Sequence, residues 1–522
     1  MQSLQRKPFF IRYEPVIFLA LLLAYLLPVL GFRYFPTLDG PVHLYNANII
    51  GKLLGGDPHY APFFELSLYP EPNMLGHFLL GFFNTFLPAW LAEKIVLVLY
   101  AAGMAFSFRM LVRKIKPDAL FVDYLVFPFI YSFTFCIGFF NFCLSVPLCF
   151  FSLYAWLNYR EQPGMLRGLG LSVLLLLTYF AHASGFFMTL LVAGIVISAE
   201  FFRDIFRKTP GAFLRGFLRN GILLTLAAIP AICFTISFLL RHGEESSGAK
   251  RETAELLEWL FRAGPLVTLF EPEETPFSYT VAVILGLLLL AAIFFSFRRK
   301  PGRNASGLSA AAIVTLALYF LLPDEMASGG YVSVRLLLFF YLLLILWMAV
   351  QPLPRYIAAI AVTLVLGVNF FHLHYHYKVA GRMSGEAEVF TAAAQHIPAG
   401  STVLPLNYSL DWLHSNFASY MAADKAIIVL DNYEAVKPHF FTRWTKQGWP
   451  YDIGNYYDSH TPCVNLEAYK KTSGRNVDFV ALWHWNETMT DSCTMDLRRQ
   501  LGSLYMPVFT SDDKMLRLFR RK

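Results

Sequence analysis

The sequence predicts a polytopic α-helical membrane protein that carries a small α/β domain at its C-terminal end. Three observations predict it. Of the 522 residues 56% are hydrophobic, 15% are charged, and mean hydropathy is +0.48, whereas a soluble chain carries roughly 25% charged residues. Apolar runs long enough to cross about 30 Å of hydrocarbon recur along residues 1–372. After them the composition shifts to short apolar runs set between polar, helix-forming stretches.

The runs fall near 15–32, 90–112, 119–137, 139–157, 167–181, 184–202, 217–240, 280–297, 307–322, 335–350 and 356–372. The N-terminal stretch MQSLQRKPFFIRYEP enters the first run without a small-residue cleavage site, as an uncleaved signal anchor does. A further run, 74–88, follows YPEPN, ends at Pro88 and is too short to cross comfortably. Suppose it stays at one surface. Then Arg6/Lys7/Arg12, Arg109/Arg113/Lys114/Lys116, Arg160/Arg167, Arg203/Arg207/Lys208/Arg215/Arg219, Arg298/Arg299/Lys300/Arg303 and Arg355 share one side. The positive-inside rule makes that side the cytoplasm. If 74–88 crossed, every later cluster would flip outside. The charges therefore predict about 11 transmembrane helices in the inner (plasma) membrane. The N-terminus is cytoplasmic and the C-terminal domain is periplasmic or extracellular. The net charge of +7 belongs to the inner loops, and no aromatic-plus-basic pattern suggests nucleic acid as a partner.

This divides the chain into a transmembrane part, 1–372, with outer loops 33–89 and 241–279, and an extracytoplasmic α/β domain, 373–522. In the first outer loop, stretches near 41–55 and 74–88 read as helices lying along the membrane surface. In the tail, TVLPL (402–406), AIIVL (426–430), DFVALW (478–483) and PVFTS (507–511) read as strands, with a helical stretch near 411–423. Cys136, Cys143, Cys149 and Cys233 lie in expected spans and read as small apolar residues. Cys463 and Cys493 lie in the outer domain, where an oxidising compartment favours a disulfide between them.

Ionisable groups at a membrane boundary are costly to bury and mark function. Asp39, in TLDGPVHLYN (37–46), stands just past the first span, with His43 one helical turn on. ELSLYPEPNMLGH (65–77) adds Glu71 and His77. A carboxylate at the mouth of a membrane cavity can act as a general base, because partial desolvation raises its pKa. For His43 and His77 taken singly, interfacial hydrogen bonding is the simpler reading. His182 lies in TYFAHASGF (178–186), and Tyr331 in the outer loop LPDEMASGGYVSVR (322–335), which ends at Arg335. Arg335 either snorkels to the headgroups or binds an anionic phosphate through its planar fork. Its glycine-containing loop and its position on the Asp39 side favour the second. HLHYHY (372–377) leaves a span, so a helix is expected there, on which His372 and His376 pair; aromatic-belt packing is favoured over a metal. Asn407-Tyr-Ser and Asn486-Glu-Thr match the glycosylation acceptor pattern. No P-loop, dinucleotide fingerprint or nucleophile elbow occurs.

The layout resembles the GT-C superfamily of membrane glycosyltransferases, which includes protein O-mannosyltransferases and the lipid A aminoarabinose transferase. The residues that carry the resemblance are TLDG with Asp39, EPNMLGHFLL (71–80), TYFAHASG and GGYVSVRLL (329–337). The resemblance implies transfer of a sugar from a polyprenyl-phosphate carrier to an extracytoplasmic glycan, lipid or protein, with inversion. It implies Asp39 as catalytic base, Arg335 and His182 on the departing phosphate, and His43, Glu71, His77 and Tyr331 as substrate contacts. Many members carry a second acidic residue beside the first. Here Gly40 and Pro41 follow Asp39, so no metal is assigned and no cofactor is certain; a divalent ion is compatible with the family but unsupported by these residues. The rival readings are a transporter or lipid flippase with a periplasmic domain, and a noncatalytic envelope-assembly subunit. A transporter predicts inverted repeats and mid-membrane charges; no clear repeat is visible, and the polar residues gather toward one face.

Overall fold

The computed structural model describes residues 9–522 apart from 68, 120, 206–209, 243–247, 303, 327–328, 438–439 and 457–461. Arg6, Lys7, Arg207, Lys208 and Arg303 of the basic clusters lie outside the described residues.

The chain is an integral membrane protein built mainly of helices. Among the described residues, eight helices are long and apolar enough to cross a membrane: Tyr13–Leu30, Ala89–Ile115, Phe140–Glu161, Ala183–Ile205, Phe213–Arg241, Glu271–Arg298, Val332–Ala349 and Arg355–His396. Two more expected spans are 17-residue helices, Met165–Ala181 and Ala305–Leu321, at the lower limit for crossing. The expected span at 119–137 is built differently. It forms a 3-10 helix, Val122–Ile130, with Pro128 inside it, then a four-residue helix, Phe133–Cys136. Every residue from Val122 to Ile130 is buried. Proline removes a backbone donor and clashes with the preceding turn, so a regular helix is interrupted here. The run is apolar because it lies inside the protein.

The two surface stretches of the first loop are helices Gly40–Leu54 and Leu75–Asn84. At 10 residues the second is about 15 Å long, half of a bilayer core. The helix Arg355–Ala393 has 39 residues and runs about 58 Å, straight through residue 372 and well beyond a membrane's thickness. Its far end leads into a mixed five-stranded sheet. The strand order is Ile428–Val429, Thr402–Asn407, Phe479–Trp483, Leu516–Arg521, Tyr505–Thr510, with the first two pairings parallel and the last two antiparallel. Thr402–Leu406 and Phe479–Trp483 are buried throughout, as central strands covered on both faces are.

The C-terminal region is tied to the first loop. Phe64–Leu66 pairs antiparallel with Thr442–Trp444, and the rings of Phe64 and Trp444 lie 4.2 Å apart. The Asn48 amide donates to the carbonyls of Ala422 and Lys425, and Val429 N donates to the Tyr45 hydroxyl.

Cys463 and Cys493 are disulfide-bonded, closing a 30-residue separation between an edge strand and the helix Ser492–Leu504. Closing such a loop restricts the unfolded chain by about 3–4 kcal/mol. Replacing both cysteines with serine should therefore lower the thermal midpoint of the C-terminal region by several degrees, read by differential scanning fluorimetry of the full chain. No shift would mean that the bridge adds nothing to stability.

Candidate functional site

The site is organised by a strap of chain, residues 136–142, between the short helix Phe133–Cys136 and the helix that starts at Phe140. One side of the strap receives the first loop. Leu38 N donates to Cys136 O (3.3 Å), Asp39 N to Ile137 O (3.1 Å), and His43 Nε2 to Gly138 O (2.8 Å). Its rings pack against Arg335 and Tyr331. The Arg335 guanidinium lies 4.7 Å from the Phe139 centroid and 5.3 Å from that of Phe142, and Tyr331 packs 5.8 Å from Phe139.

Asp39 stands at the N-cap of Gly40–Leu54, with Pro41 starting the helix. Its carboxyl does not cap that helix. It accepts from the Asn416 amide at 3.2 Å and interacts with the Tyr433 hydroxyl. Burial pushes its pKa up to about 7; Glu434 pushes the same way and His43 opposes. A carboxyl held there suits proton abstraction near neutrality.

One turn along, His43 meets His77 and Glu434. His43 Nδ1 lies 2.5 Å from Glu434 Oε1, His77 Nε2 lies 3.0 Å from Oε2, and the two imidazole nitrogens are 3.1 Å apart. All three side chains are buried. Asn46 donates to Glu434 Oε2 (2.7 Å) and exchanges hydrogen bonds with Asn432. Burial alone would raise Glu434, but His43 and His77 outweigh it and hold the carboxyl down at about 2. Burial opposes charge on His43, yet the adjacent Glu434 raises its pKa. These are oxygen and nitrogen donors of the kind that hold a divalent transition metal.

A second trio, Glu274, His372 and His376, joins two spans. The HLHYHY histidines lie on a helix, as expected, with His372 and His376 on one face. Glu274 accepts from Thr268 N, Leu269 N, the Thr268 hydroxyl and His372 Nε2, at 2.5–2.9 Å. Four donors fill a carboxylate's four lone-pair directions, so this trio pins a loop.

Glu71 is buried and paired with Arg241, whose guanidinium lies 4.4 Å over Tyr69. His182 sits at the break between two helices, and its Nδ1 accepts from Ser184 N at 3.0 Å. That leaves the proton on Nε2, which lies 3.1 Å from Arg335 Nη1. Two N–H donors thus converge, and Arg335 Nε has no partner among the described residues. Converging donors suit an anion. Tyr331 takes a left-handed backbone, φ 61°, directly before the helix that carries Arg335. The structure therefore brings Asp39 and His43, with His77, to the strap's backbone, and Tyr331 and Arg335, with His182, to its rings. Sequence reasoning missed Glu434, Asn416, Tyr433, Arg241 and the strap. Glu434 is 391 positions from His43, and no local spacing signals that contact.

No family model and no curated protein matches the chain. The structure is similar to the crystal structure of ArnT from Cupriavidus metallidurans bound to undecaprenyl phosphate, over 97% of each chain, with TM-score 0.54 and 11% identity. A second likeness is to the Archaeoglobus fulgidus oligosaccharyltransferase in complex with zinc and sulfate. It covers 96% of this chain and 72% of that one, with TM-score 0.46 and 12% identity, too distant to bear on the argument. The protein is thus an integral membrane protein that shares the fold of that ArnT structure. At this identity the likeness establishes the fold.

Gly138 makes the strap possible. Its φ is +86°, and an added Cβ would stand 2.7 Å from Thr37 Oγ1 and 2.8 Å from the backbone nitrogens of Asp39 and Gly40. The two nitrogens are backbone atoms and cannot yield cheaply. Gly138→Ala should cost about 2 kcal/mol or more, lowering the melting temperature of detergent-purified protein. An unshifted melt would show that the loop gives way at no cost.

Proposed function

We propose that this chain is a membrane glycosyltransferase that moves a sugar from a polyprenyl-phosphate carrier to an acceptor outside the cytoplasm. One observation carries the reading. A single strap contacts both the loop of a buried carboxyl, Asp39, through its backbone, and a donor pair, Arg335 with His182, through its rings. A transferase of this kind needs both: a base for the acceptor hydroxyl and an anion site for the departing phosphate. The fold adds support, since the ArnT structure that shares it holds undecaprenyl phosphate.

In this reading Asp39 takes the proton of the acceptor hydroxyl. The freed oxygen attacks the anomeric carbon as the bond from that carbon to the phosphate oxygen breaks. Negative charge grows on the phosphate, where the N–H groups of Arg335 and His182 stabilise it. A single displacement inverts the anomeric centre. Tyr331 would border the sugar, and Glu71 with Arg241 would shape the cavity wall. The N-terminus is cytoplasmic, and residues 373–522 lie outside with the first loop, where they cover Asp39 and help select the acceptor.

Asp39→Asn keeps the shape and removes the base. Turnover of a polyprenyl-phosphate sugar by the purified variant should fall by about 10²–10⁴, with folding unchanged by gel filtration. Wild-type turnover would remove Asp39 from the chemistry. Arg335→Ala should weaken binding of a polyprenyl phosphate by roughly 10–100-fold, the worth of a charge-assisted hydrogen bond. An unchanged affinity in a lipid-binding titration would show that Arg335 only spans the membrane boundary.

A further inference from the structure

The far nitrogens of His43 and His77 decide what their near nitrogens can do. His43 Nε2 is 2.8 Å from the carbonyl of Gly138, which can only accept. The proton of neutral His43 is therefore on Nε2, and Nδ1 presents a lone pair. The nearer partner of His77 Nδ1 is the carbonyl of Asn73, at 3.2 Å. The Asn141 amide lies 3.3 Å from the same Nδ1; a metal on Nε2 selects the tautomer protonated on Nδ1, in which Nε2 also presents a lone pair. Both lone pairs meet the Glu434 carboxylate, at 2.5 Å and 3.0 Å. Three potential ligand atoms thus converge, in a place where His43, His77 and Glu434 are 5%, 4% and 1% exposed.

Protons also fill the site, with His43 Nδ1–H paired to Oε1 and His77 donating from Nε2 to Oε2, so a metal competes with them for the same atoms. A divalent cation answers all three lone pairs at once. The surroundings match a metal's second layer: a backbone carbonyl orients each histidine, and the Asn46 amide, itself held by Asn432, orients the carboxylate. Ligand bonds of about 2.0–2.2 Å place tetrahedral donors about 3.3 Å apart, so the 3.0 and 3.1 Å spacings widen slightly and the 2.5 Å contact between His43 and Glu434 opens by nearly an ångström. The Glu274 trio forms the contrast, because four donors already fill its carboxylate.

We propose that His43, His77 and Glu434 form a zinc-class divalent metal site that clasps the C-terminal region onto the first loop. Two imidazoles and one carboxylate favour zinc over magnesium or calcium, which prefer all-oxygen shells. Three protein ligands leave a fourth position open. The ligands come from three elements: the helix Gly40–Leu54, the helix Leu75–Asn84, and the turn that follows the strand Ile428–Val429. An ion there ties residue 434 to residues 43 and 77 in one bond set, so its binding energy adds to the docking of the two regions. The site stands or falls independently of sugar transfer, since binding and melting are read without substrate.

The test uses the tag-free, detergent-purified full chain. It is stripped with chelator, dialysed against zinc, and analysed by inductively coupled plasma mass spectrometry and by thermal melt. About one zinc per chain, with a melting temperature raised by zinc and lowered by chelator, is expected. His77→Gln and Glu434→Gln should each weaken zinc binding at least about tenfold and abolish the zinc-dependent shift in melting, while Glu274→Gln should retain both. Because Glu434→Gln could disturb docking by itself, cobalt provides a second reading. The wild type should develop the visible absorption of tetrahedral cobalt, and His77→Gln should lose it while eluting as a folded monodisperse species. Zinc content and melting that are equal in wild type and His77→Gln would overturn the proposal. So would wild type that holds no zinc after dialysis.

Discussion

Three carbonyls in a row, those of Cys136, Ile137 and Gly138, accept from Leu38 N, Asp39 N and His43 Nε2. The rest of the site depends on this short ladder. It fixes where the first loop leaves its membrane helix, and so where Asp39 sits. It orients His43, which in turn meets His77 and Glu434. The ladder runs past a left-handed glycine whose Cβ position is occupied by the very backbone it supports. Immediately after the ladder the chain presents Phe139 and Phe142 beneath the Arg335 guanidinium. Aromatic faces attract such a cation, so one turn of chain sets the spacing between the carboxyl side and the cationic side.

Electrostatics then sorts the two sides. On the first, lone pairs and carboxylates converge: Asp39, Glu434, His43 and His77. On the second, N–H donors converge: Arg335 and His182. Each set suits a partner of the opposite kind. The Glu274 trio and the Glu71–Arg241 pair show the other outcome, where charges are answered internally and hold loops in place.

Much of this was legible in the sequence, for identifiable reasons. The long spans show because a bilayer demands some 20 apolar residues in a row. Asp39, His43 and His77 show because polar residue types are rare at a membrane boundary. The stretch 119–137 misleads because burial inside a bundle and burial in lipid select the same residues, and hydropathy does not separate them. Pro128 was the local sign of an interruption, although Pro147 and Pro230 sit inside long helices, so the sign is weak. Glu434 was invisible for a different reason. Its role comes wholly from docking a distant strand–turn onto the first loop, and nothing in NYEAVK announces a ligand. The Glu71–Arg241 pair joins residues 170 positions apart, a contact that no local spacing signals.

The central claim is that the strap separates an acceptor side from a phosphate side. A cryo-electron microscopy map of the protein with a bound polyprenyl phosphate tests it most directly. Phosphate density should lie between Arg335 and His182, on the Phe139–Phe142 side of the strap, with the lipid tail running along neighbouring spans. Phosphate density elsewhere, with Arg335 and His182 unchanged from their present contact, would contradict the account.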